Sequence, residues 1–224
     1  MEILHEDNHI IIVNKTNNDI VQGDKTGDET LANQVKLYLK EKYSKPGDVF
    51  LGVVHRIDRP TSGIVIFAKT SKSLTRLNEM FQKGEIQKIY WAIVAKKPVV
   101  EQATLVHYLV RNEKQNKSYA HPKPTPGAKE AKLTYRLAGA TDRYFLLEIQ
   151  LHTGRHHQIR AQLSKMGMPI KGDLKYGFPR SNENGGIHLH ARKVTFVHPV
   201  SNERIVVVAP TPPDVLWDCF ADMQ

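Results

Sequence analysis

The sequence is poor in cysteine, in acidic residues relative to basic ones, and in long apolar runs. Cys219 is the one cysteine among 224 residues, which excludes a disulfide framework and a zinc site built on cysteine. Such a chain suits a reducing compartment. No uninterrupted apolar stretch approaches the ~20 residues that a membrane-spanning helix needs. The first residues include acids where a secretory signal has a basic and then an apolar segment. We therefore expect a cytoplasmic protein with no membrane partner.

The charge balance is strongly basic. Lysine and arginine number 32 against 23 aspartates and glutamates, for a formal net charge of +9. A surplus of this size favours a polyanionic partner, with nucleic acid ahead of an acidic membrane. The composition, 40% hydrophobic and 25% charged, is that of an ordinary globular protein. No internal repeat or linker divides the chain, so we expect one domain over residues 1–224.

Apolar patterning predicts an α+β fold with a mixed, mostly antiparallel central sheet flanked by helices and loops. Helices are predicted to begin at 28–30 and 70–71, where capping residues precede apolar positions at helical spacing. Residues 112–129 are polar, basic and proline-rich, which predicts a long surface excursion. Strands are predicted at 9–14, 20–22, 63–69 (apolar on both faces and therefore central), 88–94, 134–137, 144–151, 187–196 and 204–209, with a short helix after Pro213.

The stretch His55–Gly63 holds one carboxylate, Asp58, between Arg56 and Arg59. Opposite charges nearby favour the ionised form, and an ionised carboxylate can act as a nucleophile. Pro60 fixes one backbone angle and Gly63 permits positive φ, so the loop can be rigid. Taken alone, the same residues also fit a solvated ion pair that caps a turn, because exposed pairs of this kind are common and weak.

The stretch Leu151–Arg160 is a second polar concentration, at a predicted strand-to-helix junction. Arg155 and Arg160 both lie near the apolar stripe of the helix, and an inward arginine requires an anion. Periodicity leaves both arginines open. The adjacent His156 and His157 lack the spacing of about four and the supporting acid of a helical zinc site. We expect these histidines to be structural or to face RNA.

The strand at 88–94 places Tyr90 on the same face as Ala92 and Val94. Small neighbours leave space over the tyrosine ring. Such a tyrosine can pack in the core or lie against a flat ligand such as a nucleobase.

Together the motifs at 55–63, 88–94 and 151–160, in this order and spacing, resemble the RluA-type family of pseudouridine synthases. The segments Pro169–Asp173 and Leu189–Arg192 are similar to that family as well. The resemblance covers residues 2–209 and implies the pseudouridine synthase catalytic fold. It also implies that the chain isomerises uridine to pseudouridine in ribosomal RNA or transfer RNA and needs no cofactor or metal. The sequence does not reveal the oligomeric state, and a monomer is the simplest expectation.

The resemblance assigns the catalytic residues position by position. The catalytic aspartate falls on Asp58, the active-site tyrosine on Tyr90, and the arginine that pairs with the carboxylate on Arg160. It also makes Arg56 a residue that holds the displaced nucleotide or its neighbours. The full set expected to contact RNA or substrate is Arg56, Arg59, Thr61, Lys117, Lys123, Arg155 and His156, the lysines as phosphate contacts.

Two features depart from the family pattern. Relatives often have Asn-Lys-Pro-x-Gly near the N-terminus, whereas this chain has Asn-Lys-Thr-Asn-Asn at 14–18. The chain also has no room before residue 1 for the S4-type RNA-binding domain of many members. We therefore expect the catalytic domain itself to bind RNA.

The chemistry breaks the bond from uracil N1 to ribose C1′ and rejoins the base through C5. A single carboxylate can attack C1′, attack C6 of the base, or remove a ribose proton, and the sequence leaves these routes open. Two other functions are compatible with the same composition: that of a non-catalytic RNA-binding protein on this fold, and that of a nuclease or phosphodiesterase. The nuclease would require clustered acids around a metal ion or a histidine pair at one phosphate, and Asp58 has no acids close to it in sequence.

Overall fold

The computed structural model describes residues 1–23 and 29–221. Five consecutive strands separate the second helix from the third, so strands and helices do not alternate regularly and the fold is α+β. The strands are β1 Glu2–Glu6, β2 Ile10–Lys15, β3 Gly52–Val53, β4 Ser62–Ala68, β5 Gln87–Val94, β6 Gln102–Asn112, β7 Lys117–His121, β8 Lys129–Ala140, β9 Phe145–Leu151, β10 Leu189–Val197 and β11 Arg204–Val208. The helices are α1 Leu31–Lys42, α2 Ser71–Lys83, α3 Gln158–Lys165 and α4 Val215–Ala221, with a 3-10 turn at Leu174–Tyr176.

The strands form one continuous mixed sheet in the order β1-β2-β4-β10-β5-β9-β8-β6-β7, with β11 added to β10 and β3 to β4. Strands β4 and β10 pair in parallel. The other ladders are antiparallel. The predicted mixed, mostly antiparallel sheet is confirmed, and β4 is buried at every position, as its apolar sequence predicted.

The two long helices begin where their capping residues predicted. The Thr30 side chain accepts the backbone N–H of Asn33 at the start of α1, while Asp28 lies outside the described residues. Thr70 and Ser73 form a reciprocal capping box at the start of α2, and Gly84 ends that helix with a φ of 72°. The short helix predicted after Pro213 is also present, as α4.

Two predictions about the strands were wrong. The excursion predicted at 112–129 contains strand β7, which pairs with β6 from Tyr108↔His121 to Asn112↔Lys117. Its polar and basic sequence reflects its place as the last strand of the sheet, because edge strands carry charged residues that prevent further pairing. The strand predicted at 20–22 is reduced to a single bridge between Ile20 and Thr30, since its neighbours bend away.

One row of paired residues crosses the centre of the sheet and sets the geometry of the loop that carries Asp58. Lys15 pairs with Gly63, Gly63 with Ala191, and Ala191 with Tyr90. Gly63 has a φ of +109°, and a Cβ there would lie 2.6 Å from the backbone nitrogen of Ala191. Only glycine therefore allows β10 to approach β4 at this point.

Lys15 anchors the Asp58 loop through hydrogen bonds to its backbone. Its side chain is 1% exposed, and its Nζ donates to the carbonyl oxygens of Thr16 at 2.7 Å, Arg59 at 2.9 Å and Thr61 at 2.8 Å. Two of these carbonyls belong to the loop itself. The backbone N–H of Thr61 donates to the Asp58 carbonyl at 3.0 Å, which closes the turn.

We predict that Gly63→Ala lowers the free energy of unfolding by about 3 kcal/mol, because it adds a steric overlap to an unfavourable positive φ. The matched control is Gly127→Ala, where φ is +75° and no atom lies within 4 Å of an added Cβ. The control should lose only the conformational part, about 1–2 kcal/mol. Denaturant unfolding measures both, and equal losses would show that the approach of β10 is not restrictive.

We predict that Lys15→Met lowers the free energy of unfolding by about 2–4 kcal/mol, because three carbonyls beneath the loop lose their donor. Lys72→Met, on the exposed face of α2, should stay within about 0.5 kcal/mol of the wild type. Limited proteolysis of the folded variant should also open the chain at residues 55–61. A variant as stable and as resistant as the wild type would contradict the anchoring role.

Candidate active site

Asp58 lies on the loop between β3 and β4, with its side chain 25% exposed. The Nη1 group of Arg160 donates to its Oδ2 atom at 3.0 Å. The two residues are 102 positions apart in sequence. The structure thus brings the loop carboxylate and the helix arginine together.

Arg160 also binds a second carboxylate. It is 4% exposed, and its Nε and Nη2 donate to Oδ2 and Oδ1 of Asp173 at 2.7 and 2.9 Å. Burial by itself lowers the pKa of Arg160, but the hydrogen bonds and charge of Asp173, with Asp58, raise the pKa above its usual value. The guanidinium therefore stays charged and fixed in a planar, bidentate arrangement.

Helical periodicity left both Arg155 and Arg160 open as the inward arginine, and the family resemblance assigned the role to Arg160. Arg155 is exposed, and its Nε donates to the carbonyl of Glu130 at 2.9 Å. Arg160 is the one directed into the centre, because it lies on the buried face of α3 with Ile159 and Leu163.

Tyr90 is 9% exposed in the middle of β5, within the main apolar core. Burial raises the pKa of its phenol, and the negative charge of Asp58 acts in the same direction. The phenol is therefore protonated at neutral pH, and its ring lies within electrostatic reach of the Asp58 carboxylate.

Sequence reasoning missed two residues that complete this centre, His157 and Tyr176. The Nε2 atom of His157 lies 3.6 Å from Oδ2 of Asp58, and its Nδ1 lies 2.9 Å from the hydroxyl of Tyr176. The Tyr176 ring lies under the guanidinium of Arg160, 4.9 Å from its central carbon. Tyr176 belongs to a one-turn 3-10 helix, which gives no periodic signal, and adjacency to His156 obscured the separate position of His157.

Burial and the nearby positive charge of Arg160 lower the pKa of His157 to about 2. Burial also raises the pKa of Tyr176 to about 12. Both side chains are therefore neutral near pH 7. Within residues 1–23 and 29–221, the ion-pair and hydrogen-bond contacts of the Asp58 carboxylate all fall on Oδ2, with Arg160 and His157 as the partners.

The residues expected to contact RNA occupy different positions relative to this centre. Arg56, Arg59 and Lys123 are exposed. Thr61 is 2% exposed, and its hydroxyl has no hydrogen-bond partner among the described residues. Thr61 therefore lies beneath the loop rather than on its surface.

Lys117 and His156 join the edge strand to the centre. Lys117 Nζ lies 5.5 Å from the ring centroid of exposed Tyr119 and 5.0 Å from that of buried Tyr176. His156 contacts Ser118 Oγ at 2.9 Å through Nδ1 and stacks on His157 with 3.8 Å between ring centroids. Both side chains thus stand at the border between the basic β6–β7 hairpin and the buried centre.

Two kinds of feature, a metal-binding cluster and a membrane-spanning helix, are absent from the described part of the chain. No group of three or more His, Cys, Asp or Glu side chains in residues 1–23 and 29–221 is placed to hold a metal ion. Over the same residues, no helix has the length and apolar character needed to cross a membrane.

The chain is similar in sequence to a family of known proteins. The family described as RNA pseudouridylate synthase matches residues 9–165. A Synechocystis protein named as an uncharacterised RNA pseudouridine synthase is 34% identical over 95% of this chain and 66% of its own length. A Bacillus subtilis protein of the same description is 33% identical over 96% of this chain and 70% of its own length. The ribosomal large subunit pseudouridine synthase C of Vibrio cholerae is 34% identical over 93% of this chain and 65% of its own length.

Solved structures agree on the fold. Human RNA pseudouridylate synthase domain containing 4 superposes with a TM-score of 0.80 at 22% identity, over 99% of this chain and 92% of that one. Human RNA pseudouridylate synthase domain containing 1 superposes with a TM-score of 0.72 at 21% identity, over 98% of this chain and 86% of that one. The chain spans about two thirds of the length of the curated relatives it matches. From the match over residues 9–165 and from these relatives, the chain belongs to the RNA pseudouridylate synthase family.

Proposed function

We propose that this chain converts uridine to pseudouridine in RNA, with Asp58 as the catalytic carboxylate. Family membership supports the reaction class. The observation that carries the assignment of residues is the contact between Arg160 and Oδ2 of Asp58 at 3.0 Å, in a centre bordered by Tyr90. A family fold used only for RNA binding would have no need of a carboxylate held by a buried arginine.

The proposed chemistry uses Asp58 through Oδ1. Arg160 holds the Asp58 carboxylate in one rotation, so that one oxygen faces a bound nucleotide. That oxygen attacks ribose C1′, attacks C6 of the base, or removes a ribose proton. In each route the bond from N1 to C1′ breaks, a bond from C5 to C1′ forms, the C5 proton leaves and N1 gains a proton. Tyr90 stacks on the base and assists proton transfer at C5 in its protonated form.

The target uridine must leave its stack before it reaches Asp58, at a cost of about a few kcal/mol. Basic residues around the centre offset that cost through phosphate contacts. The proposed contacts are Arg56, Arg59, Lys117, Lys123, Arg155 and His156. Thr61, expected in this set, is instead proposed to support the loop through its carbonyl, because its side chain is buried.

Large-subunit ribosomal RNA is the substrate that the names of relatives from Vibrio cholerae and Xylella fastidiosa favour. Transfer RNA is the second candidate, since structured RNA of either kind presents unstacked uridines. The same proposal includes action in the cytoplasm as a monomer, without metal or cofactor.

We predict that the wild-type chain releases tritium from RNA labelled at uridine C5, and that Asp58→Asn releases none above background. The matched control is Asp142→Asn, an exposed aspartate in the turn between β8 and β9, which should keep wild-type activity. Cellular ribosomal and transfer RNA are assayed separately. RNA binding by the wild type without tritium release from either pool would favour the non-catalytic alternative.

We predict that Arg160 is required for turnover and Arg155 for affinity. Arg160→Met alone leaves Asp173, 2% exposed, as a buried unpaired charge, which costs about 3–5 kcal/mol of stability. The informative variant is therefore Arg160→Met with Asp173→Asn, compared with Asp173→Asn alone. Turnover should fall about 100-fold or more in the double variant, with RNA affinity within about threefold.

Arg155→Met should show the opposite pattern, with weaker RNA binding and an unchanged single-turnover rate at saturating enzyme. Single-turnover kinetics and filter binding on the same RNA separate the two effects. Loss of the chemical step in Arg155→Met, together with its retention in the double variant, would exchange the roles of the two arginines.

A further inference from the structure

His157 lies beside the proposed catalytic carboxylate and Tyr176 lies beside His157, but neither has a place in the chemistry above. We infer that His157 is a positioning residue for Asp58. Its neutral ring directs Nε2–H at Oδ2, in a tautomer that Tyr176 imposes. The inference rests on the proposed function for its kinetic consequence, while the tautomer is a property of the folded chain itself.

The backbone is shaped to aim this ring. His157 has a φ of 53° at the residue before α3, a left-handed conformation that costs a non-glycine residue about 1–2 kcal/mol. The ring is then held on two sides, stacked on His156 at 3.8 Å and edge-on to Tyr176 at 5.6 Å between centroids. Strain kept at such a position is typical of functional sites, where the surrounding structure over-determines the conformation.

The hydrogen bonds fix which ring nitrogen carries the proton. The Tyr176 hydroxyl oxygen accepts the backbone N–H of Ser118 at 2.8 Å. Its own proton is then free for Nδ1 of His157, 2.9 Å away. A neutral imidazole that accepts at Nδ1 carries its proton on Nε2. That N–H faces Oδ2 of Asp58 at 3.6 Å, longer than a direct hydrogen bond but well within electrostatic reach.

The surroundings keep the ring neutral. Burial and four nearby basic groups disfavour an imidazolium: Arg160, His156, Lys175 and Arg111. His157 is therefore a fixed dipole rather than a proton shuttle. Because its N–H and Nη1 of Arg160 converge on the same oxygen, together they set the rotation of the carboxylate and leave Oδ1 for the substrate.

The kinetic experiment compares His157→Phe with His157→Gln. Phenylalanine keeps the ring shape and the stacking but has no N–H, so the single-turnover rate should fall about tenfold with RNA affinity within about threefold. Glutamine can accept from Tyr176 and donate toward Asp58, so it should restore most of the rate. The matched control is His152→Gln, an exposed histidine bonded to Thr134, which should behave as wild type.

The tautomer experiment uses the free protein with ¹⁵N-labelled histidine, and therefore does not depend on activity. His157 should show a neutral ring protonated at Nε2 from pH 5 to 8. Tyr176→Phe should produce a mixture of tautomers, because phenylalanine offers Nδ1 no proton. If the His157→Phe variant unfolds at a lower temperature than the assay, Tyr176→Phe provides the kinetic comparison in its place.

Three outcomes would overturn the inference: an imidazolium at pH 7, a ring protonated at Nδ1, or a His157→Phe variant with the full wild-type rate. A His157→Phe variant that loses RNA affinity but keeps its rate would also overturn it, because the residue would then be an RNA contact. Failure of the proposed function looks different. In that case the wild type forms no pseudouridine, while the tautomer measurement still reports on the ring.

Discussion

A single guanidinium shared between two carboxylates organises this protein. Arg160 binds Asp173 through two nitrogens and Asp58 through the third. Asp58 lies on a loop 102 positions away from Arg160 in sequence, whereas Asp173 lies 13 positions away, in the turn that follows the helix. Removing buried ions from water is expensive unless their geometry is well matched, so the elements that carry these residues must meet with little tolerance. The centre holds one positive charge against two negative ones, and the less buried carboxylate, Asp58, is the one that faces outward.

The sheet supplies the rigidity that this arrangement needs. Gly63, Ala191 and Tyr90 pair in one row across β4, β10 and β5. The Asp58 loop leads directly into β4, and Lys15 at the end of β2 holds the same loop through two of its carbonyls. Loops on rigid scaffolds often carry function. Here Lys15, at the end of β2, holds the backbone of the loop. Arg160, on α3, holds the side chain of Asp58.

Local signals in the sequence predicted most of the fold. Thr30, Thr70 and Gly84 mark helix ends because capping is a short-range interaction, and the apolar run of β4 marks a central strand because both its faces are covered. Strand β7 was not predicted, because an edge strand is hydrogen-bonded to a neighbouring strand on one side only. Its sequence therefore does not need to alternate between apolar and polar residues.

The site was predictable to the extent that it resembled a family. Asp58, Tyr90 and Arg160 were assigned by motif, whereas the residues around Asp58, taken alone, favoured a surface ion pair, and periodicity left Arg155 open. Lys15, His157 and Tyr176 gave no local signal, since each acts through a contact with a residue distant in the chain. Only the packed structure places the Lys15 ammonium beneath the Asp58 loop and the Tyr176 hydroxyl against a ring nitrogen of His157.

The parallel pairing of β4 with β10 has a consequence for how the chain reaches its folded state. Ser62 and His190, hydrogen-bonded across this junction, are 128 residues apart. Strand β10 also separates β1, β2 and β4 from β5 and the strands beyond it. During synthesis, therefore, Ser62 and Gly63 of β4 have no β10 partner until most of the chain has been made. Pairing over such distances is slow, and apolar strand edges exposed in the meantime are prone to wrong association. The junction at the centre of the sheet is thus among the last parts to form.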